Sequence, residues 1–201
     1  KRKATFESIK KLENGFVEEM ENYLTYIAIN SKGEKGLSQN TIGKQFKNLK
    51  VFLNWCFERE YVKEFPKKHL KVRQEIIDEV YMTNEELDTL IKLKLNNELE
   101  DHVRDGFILG CNTALRFSDL HLLRSSHIDR TKRKETIELQ QKKTRKKVVI
   151  PINKTSLSIL RKYEYKSPVN KVTGVDFNKI IKKICKDAKI DSIKTQYKII
   201  R

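Results

Sequence analysis

The stretch Asn112-Thr113-Ala114-Leu115-Arg116-Phe117-Ser118-Asp119-Leu120-His121-Leu122-Leu123 decides how the second half of the chain is read. It follows a segment in which Val103, Phe107, Ile108 and Cys111 recur at helical spacing, which predicts a helix over about 99–111 with these four turned inward. Arg116 stands in an apolar, helix-forming context. A lone arginine there is by itself more often a snorkelling or ion-pairing side chain than a reactive one. Asp119 comes one helical turn later, where it either accepts a bond that orients this helix or its arginine, or serves as a local ion pair or cap.

Upstream, Thr83-Asn84-Glu85-Glu86 has the form of a capping box, with acidic charge at the positive end of a helix that Leu87, Leu90, Ile91 and Leu95 continue. Downstream, the pattern changes. Thr136-Ile137-Glu138-Leu139 alternates and Lys147-Val148-Val149-Ile150 is β-rich, with Gln140 to Lys146 as a polar turn between them and Pro151 closing the second strand. This is a β-hairpin with a basic tip: residues 130–147 hold nine Lys or Arg against two Glu. Helices follow at about 154–164 and 174–188, the latter with Phe177, Ile180, Ile181, Ile184 and Ala188 on one side.

The first third reads as a separate helical domain. Phe16, Met20, Tyr23, Leu24 and Ile27 mark a helix over about 5–30, which Asn30 to Gly36 breaks with two glycines. Ser38 is placed to cap the next helix, with Ile42, Phe46, Leu49, Leu53 and Cys56 inward and Phe52, Trp55 and Phe57 widening that stripe. Lys44, Lys47 and Lys50 fall on another face. Singly they are solvated lysines; as a set near Gln39, Asn40 and Thr41 they can track a phosphate backbone. Pro66 lies in a polar stretch, Lys63 to Arg73, that reads as a connection. The expected division is residues 1–72, a linker over 73–82, and residues 83–201.

Charge narrows the partners. Forty-three Lys and Arg against twenty-seven Asp and Glu leave a net charge of +16. Such a field attracts polyanions and also keeps a chain soluble, so nucleic acid leads and a merely solvated basic surface is the rival. No run of eighteen apolar residues is present, and the basic N-terminus has no apolar core behind it, so neither a transmembrane helix nor a secretory signal is expected. Cys56, Cys111 and Cys185 form no CxxC pair. They read as small buried hydrophobes in a reducing, cytoplasmic chain, without zinc or disulfides.

Thr-Ala-Leu-Arg-Phe-Ser-Asp-Leu, with Leu123 and His127-Ile128-Asp129, resembles the first active-site box of the tyrosine recombinases, or phage integrases. That family has glycine where Ala114 stands. Lys143-Thr144-Arg145-Lys146-Lys147-Val148-Val149-Ile150-Pro151-Ile152 resembles the family's β-hairpin, and Leu37 to Trp55 its core-binding domain in mobile-element integrases. The resemblance implies a mainly α fold: a small all-helical core-binding domain, then a mostly helical catalytic domain with a small β-hairpin or sheet.

It further implies site-specific recombination or integration of double-stranded DNA, held between the two domains. Arg116 would clamp the non-bridging phosphate oxygens through bidentate bonds. Lys143, with Lys142 as the alternative, would protonate the departing 5′ oxygen. Asp119 would support them, while Asn40, Thr41, Lys44, Lys47, Lys142, Arg145 and Lys146 would contact DNA. Cleavage through a 3′-phosphotyrosine needs no metal and no cofactor.

The family's later His-x-x-Arg pair and nucleophilic tyrosine find no match. His69, His102, His121 and His127 all precede Lys143, and Tyr163, Tyr165 and Tyr197 have no such pair before them. The chain is therefore expected to be a truncated enzyme, inactive alone, monomeric in isolation and tetrameric on DNA at full length. The rival readings are a DNA-binding or architectural remnant, and a helical protein-interaction domain with a solvated basic surface.

Overall fold

The computed structural model describes residues 14–62, 75–77, 81–131, 134–190 and 198–199. The connection expected over 63–73, the first residues of the 5–30 helix, and Tyr197 lie outside the described residues. The fold is mainly α with a three-stranded antiparallel sheet, as expected. Its residues fall into two units, one holding those up to Ile77 together with residues 198–199, the other those from 81 to 190.

In the first unit, α1 (Asn14–Asn22) runs into a π-helical turn, Tyr23–Ile27, closed by the Ala28 N–H on the Tyr23 carbonyl at 2.8 Å. The expected stripe is only partly inward. Val17 is buried with Met20 and Leu24 against it, whereas Phe16, Tyr23 and Ile27 are exposed. The glycine-rich break is a tight turn: Asn30 Oδ1 accepts from the N–H groups of Lys32 and Glu34, and Gly36 adopts φ +90°. A Cβ on Gly36 would meet the Thr25 carbonyl oxygen at 2.6 Å, so only glycine fits.

Ser38 caps α2 (Gln39–Glu58) through the Thr41 N–H. Ile42, Phe46, Leu53 and Cys56 are buried, but Phe52, Trp55 and Phe57, expected to widen the stripe inward, are exposed. They lie to the side of the ridge that faces α1, and Phe52 and Trp55 stack on each other at 6.3 Å. A short antiparallel ladder, β1 (Ile76–Ile77) with β5 (Lys198–Ile199), adds to this otherwise helical unit.

The second unit is built round α4 (Glu98–Thr113), which packs against α3 (Asn84–Lys92), α5 (Phe117–His121), α6 (Lys154–Lys162) and α7 (Gly174–Asp187). The Thr83–Glu86 capping box is formed, each side chain bonding the other's backbone N–H. The sheet takes the order β2 (Ile128–Asp129), β3 (Thr136–Gln140), β4 (Lys147–Pro151), with Ile137 opposite Ile150 and Leu139 opposite Val148. Leu90, Val103, Leu109, Leu120, Ile137, Leu160, Val169 and Ile184 form the buried centre. Each contributes about 1.5–3 kcal/mol by leaving water.

The core face of α4 is turned from the expected one. Val103 and Ile108 are buried as expected, but the face also takes in Gly106, Leu109 and Thr113, leaving Phe107 half-buried and Cys111 exposed. The expectation of three buried cysteines holds for Cys56; Cys185 is half-buried. Gly106 belongs to this face because Val169 packs where a Cβ would stand, 2.6 Å away.

A buried polar cluster ties α4 to α6. Asp105 accepts from Arg104, Lys162 and Tyr163, and Arg104 also donates to the Leu93 carbonyl at 2.6 Å. Burial alone would raise the Asp105 carboxyl, but the Lys162 and Arg104 bonds outweigh it and hold its pKa below the ordinary value.

Candidate nucleic-acid interface

The chain turns sharply at the quoted box. Helix α4 ends at Thr113, and Ala114 takes the left-handed conformation, φ 53° and ψ 22°, its N–H returning to the Gly110 carbonyl at 2.8 Å. Left-handed backbone is the C-terminal helix stop that glycine adopts without penalty. Arg116 is thereby lifted out of any helix. Its backbone is extended, its carbonyl accepts the first bonds of α5, and its side chain is exposed. The helical context expected for it is corrected to a break between two helices.

Asp119, one turn into α5, is 4% exposed. Its Oδ1 accepts the backbone N–H of Lys142 at 2.8 Å. Oδ2 is buried with no hydrogen-bond partner among the described residues. The carboxylate thus anchors the hairpin tip to the arginine box.

The tip is internally fixed. Gln141 N–H donates to the Lys146 carbonyl and Arg145 N–H to the Gln141 carbonyl, both at 2.9 Å, while the Gln140 amide donates to the Arg145 carbonyl at 2.8 Å. Arg145 is left-handed, φ 58°, which lets the short turn close. Arg116 Nη1 donates to Gln141 Oε1 at 3.2 Å, so the arginine and the tip meet directly.

Around this contact the surface is cationic. Lys142, Lys143, Arg145 and Lys146 are all exposed, and neither they nor Arg116 form an ion pair among the described residues. Beside the base of the hairpin, a cavity of about 270 Å³ is bordered by Asp119, Arg124, Ser126, His127 and Lys142 among others. His127 Nδ1 accepts the Arg124 N–H at 3.2 Å.

The structure therefore brings Arg116, Asp119, Lys142, Lys143, Arg145 and Lys146 into one neighbourhood. In the other unit, Thr41, Lys44 and Lys47 are exposed on α2. Asn40 is engaged elsewhere: its amide donates to the Glu75 carbonyl at 3.1 Å and accepts the Glu75 N–H at 2.9 Å. Its two polar ends hold a neighbouring segment to the start of α2. Gln141 carried no role in the sequence, where nothing in its spacing marks a side chain that meets Arg116 once the hairpin folds back.

Among the described residues, no helix is long and apolar enough to cross a membrane, and no group of His, Cys, Asp or Glu is placed to hold a metal ion. Residues 2–72 match the family described as phage integrase SAM-like domain. Comparison with curated proteins and with solved structures returned no match.

Proposed function

We propose that this chain, whose residues 2–72 match the phage integrase SAM-like domain, is part of a tyrosine recombinase that grips duplex DNA for strand cleavage and rejoining, with Arg116 on the scissile phosphate. The observation that carries the reading is the docking of the hairpin tip onto the arginine box, through Arg116–Gln141 and Asp119–Lys142, inside a field of exposed cations. A planar guanidinium can hold two non-bridging oxygens while charge builds on them. Lys143, exposed at the crest of the turn, is the proton donor.

In the complete reaction a tyrosine oxygen attacks phosphorus, the bond to the 5′ oxygen breaks, and Lys143 gives that oxygen its proton. Phosphorus stays on the 3′ end as a phosphotyrosine until the reverse attack restores the backbone. Thr41, Lys44 and Lys47 on α2, with Lys142, Arg145 and Lys146 at the tip, supply backbone contacts. A second reading, a DNA-binding module without cleavage, rests on the exposed cations of the tip and α2 alone.

The test is covalent trapping on a nicked duplex, using a reading frame that extends to a His-x-x-Arg pair and a tyrosine. Trapping that Arg116→Ala and Lys143→Ala each suppress is the expected result. Trapping that ignores both substitutions refutes the assignment, and a reading frame without those groups leaves the DNA-binding module as the function.

A further inference from the structure

Gln141 does more than join the hairpin tip to Arg116. Its side-chain oxygen accepts from Arg116 Nη1 at 3.2 Å and from the Thr144 hydroxyl at 2.7 Å. Arginine only donates, so the amide must turn its oxygen, not its nitrogen, toward Arg116. The backbone of Gln141 is fixed as well, by the Lys146 carbonyl and the Arg145 N–H. The next residue, Lys142, is tied by its N–H to the buried Asp119. The acceptor facing Arg116 is therefore held from four sides.

Resting on the reading of Arg116 as a phosphate clamp, we infer that Gln141 is a positioning residue: a neutral acceptor that aims the guanidinium without discharging it. The amide occupies one of the five N–H donors of the arginine and leaves its full charge for an anion. A carboxylate at the same place would take the fork bidentately and neutralise it. An apolar side chain would leave the arginine free to sample many rotamers, whose restriction the anion would then have to bear. Position 141 thus calls for an acceptor, and for an uncharged one. Thr144 completes the device, since its hydroxyl holds the amide plane in register.

The experiment titrates inorganic phosphate into the intact chain and follows the Arg116 Nε–H resonance by ¹⁵N NMR, beside thermal unfolding of each variant. The unmodified chain is expected to show a saturable shift. Gln141→Met, matched in size but without the acceptor, should weaken phosphate roughly threefold to tenfold, the worth of one ordinary hydrogen bond. Gln141→Glu should weaken it more than Gln141→Met, with unchanged unfolding temperature. This order separates positioning from a purely structural part in the turn. Glutamate can still accept from Thr144, so a turn role alone predicts that Gln141→Glu behaves as the unmodified chain. Equal or tighter phosphate binding by Gln141→Glu, or no loss in Gln141→Met, overturns the inference while leaving Arg116 as a phosphate ligand. An Arg116 resonance silent to phosphate in the unmodified chain overturns the clamp and the inference together.

Discussion

Replacing Asp119 by alanine isolates the anchor between the arginine box and the hairpin. The side chain is 96% buried, from its 4% exposure, and its Oδ1 accepts the Lys142 N–H at 2.8 Å. A hydrogen bond to a charged acceptor contributes about 1.5–3 kcal/mol. Taking about 2 kcal/mol, the opening equilibrium of the Lys142 amide should rise roughly 30-fold. Native-state hydrogen exchange reads this directly at that amide. The effect should be local: Lys142 and the turn amides of Gln141 and Arg145 accelerate more than the Leu109 amide in α4, which reports global opening. Asp119→Asn keeps an acceptor for Lys142 and replaces Oδ2, which has no hydrogen-bond partner among the described residues, so it should retain most of the protection. An equal acceleration at Lys142 and Leu109 would place the loss in the core and refute the anchor. Unchanged exchange at Lys142 in Asp119→Ala would remove the bond from the account altogether.

Ala114→Gly should stabilise the chain by about 1 kcal/mol, because Ala114 sits at φ 53°, where an L side chain is strained; chemical denaturation checks it, and a loss of stability counts against the left-handed turn. Gly106→Ala should cost about 1–3 kcal/mol by forcing Val169 from a position 2.6 Å from the new Cβ, and an unchanged midpoint would deny that close approach. Asp105→Asn should cost about 3 kcal/mol at neutral pH by unpairing a buried cluster. Because the folded Asp105 pKa is depressed, its contribution is full above the unfolded carboxylate value near ~3.9 and fades as pH falls through the folded value. The gap between Asp105→Asn and the unmodified chain should therefore narrow in acid, and a constant gap would contradict the ion pairing. Lys162 and Tyr163 are shifted the other way: burial opposes the Lys162 charge, but Asp101 and Asp105 outweigh it and raise its pKa, while burial and Asp105 raise that of Tyr163. Their contributions are full below their ordinary values and fade as pH rises past about 10, so unfolding in alkali should show a second loss.

Local signals carried much of the fold. The Thr83–Glu86 box, the Ser38 cap, the Asn30–Gly36 break and the 136–151 hairpin are each decided by near neighbours, and each is formed. What periodicity missed lies where tertiary contact chooses between two nearly equivalent faces. On α4 the choice fell to Gly106 and Leu109, because a neighbouring segment approaches the glycine closely, and Cys111 was left outside. In the first unit the inward face of α1 centres on Val17, Met20 and Leu24, and Phe16, Tyr23 and Ile27 fall outside it.

The candidate site was legible in its residue types and not in its wiring. The left-handed helix stop at Ala114 was concealed by the apolar periodicity around Arg116. Asp119 was expected to act on its own helix or arginine; it binds a backbone N–H 23 residues away, which only folding reveals. Asn40 has the composition of a phosphate contact, yet its amide serves Glu75. Gln141, a polar turn residue by sequence, becomes the partner of Arg116.

The most direct test of a DNA grip built on Arg116 and the hairpin tip is duplex affinity measured across salt concentrations, for the intact chain, Arg116→Ala and Arg145→Ala. Log affinity should fall linearly with log salt, and each substitution should make the slope shallower by about 0.9, one phosphate contact. Affinity that ignores salt, or an Arg116→Ala variant with the unmodified slope and affinity, would contradict that grip.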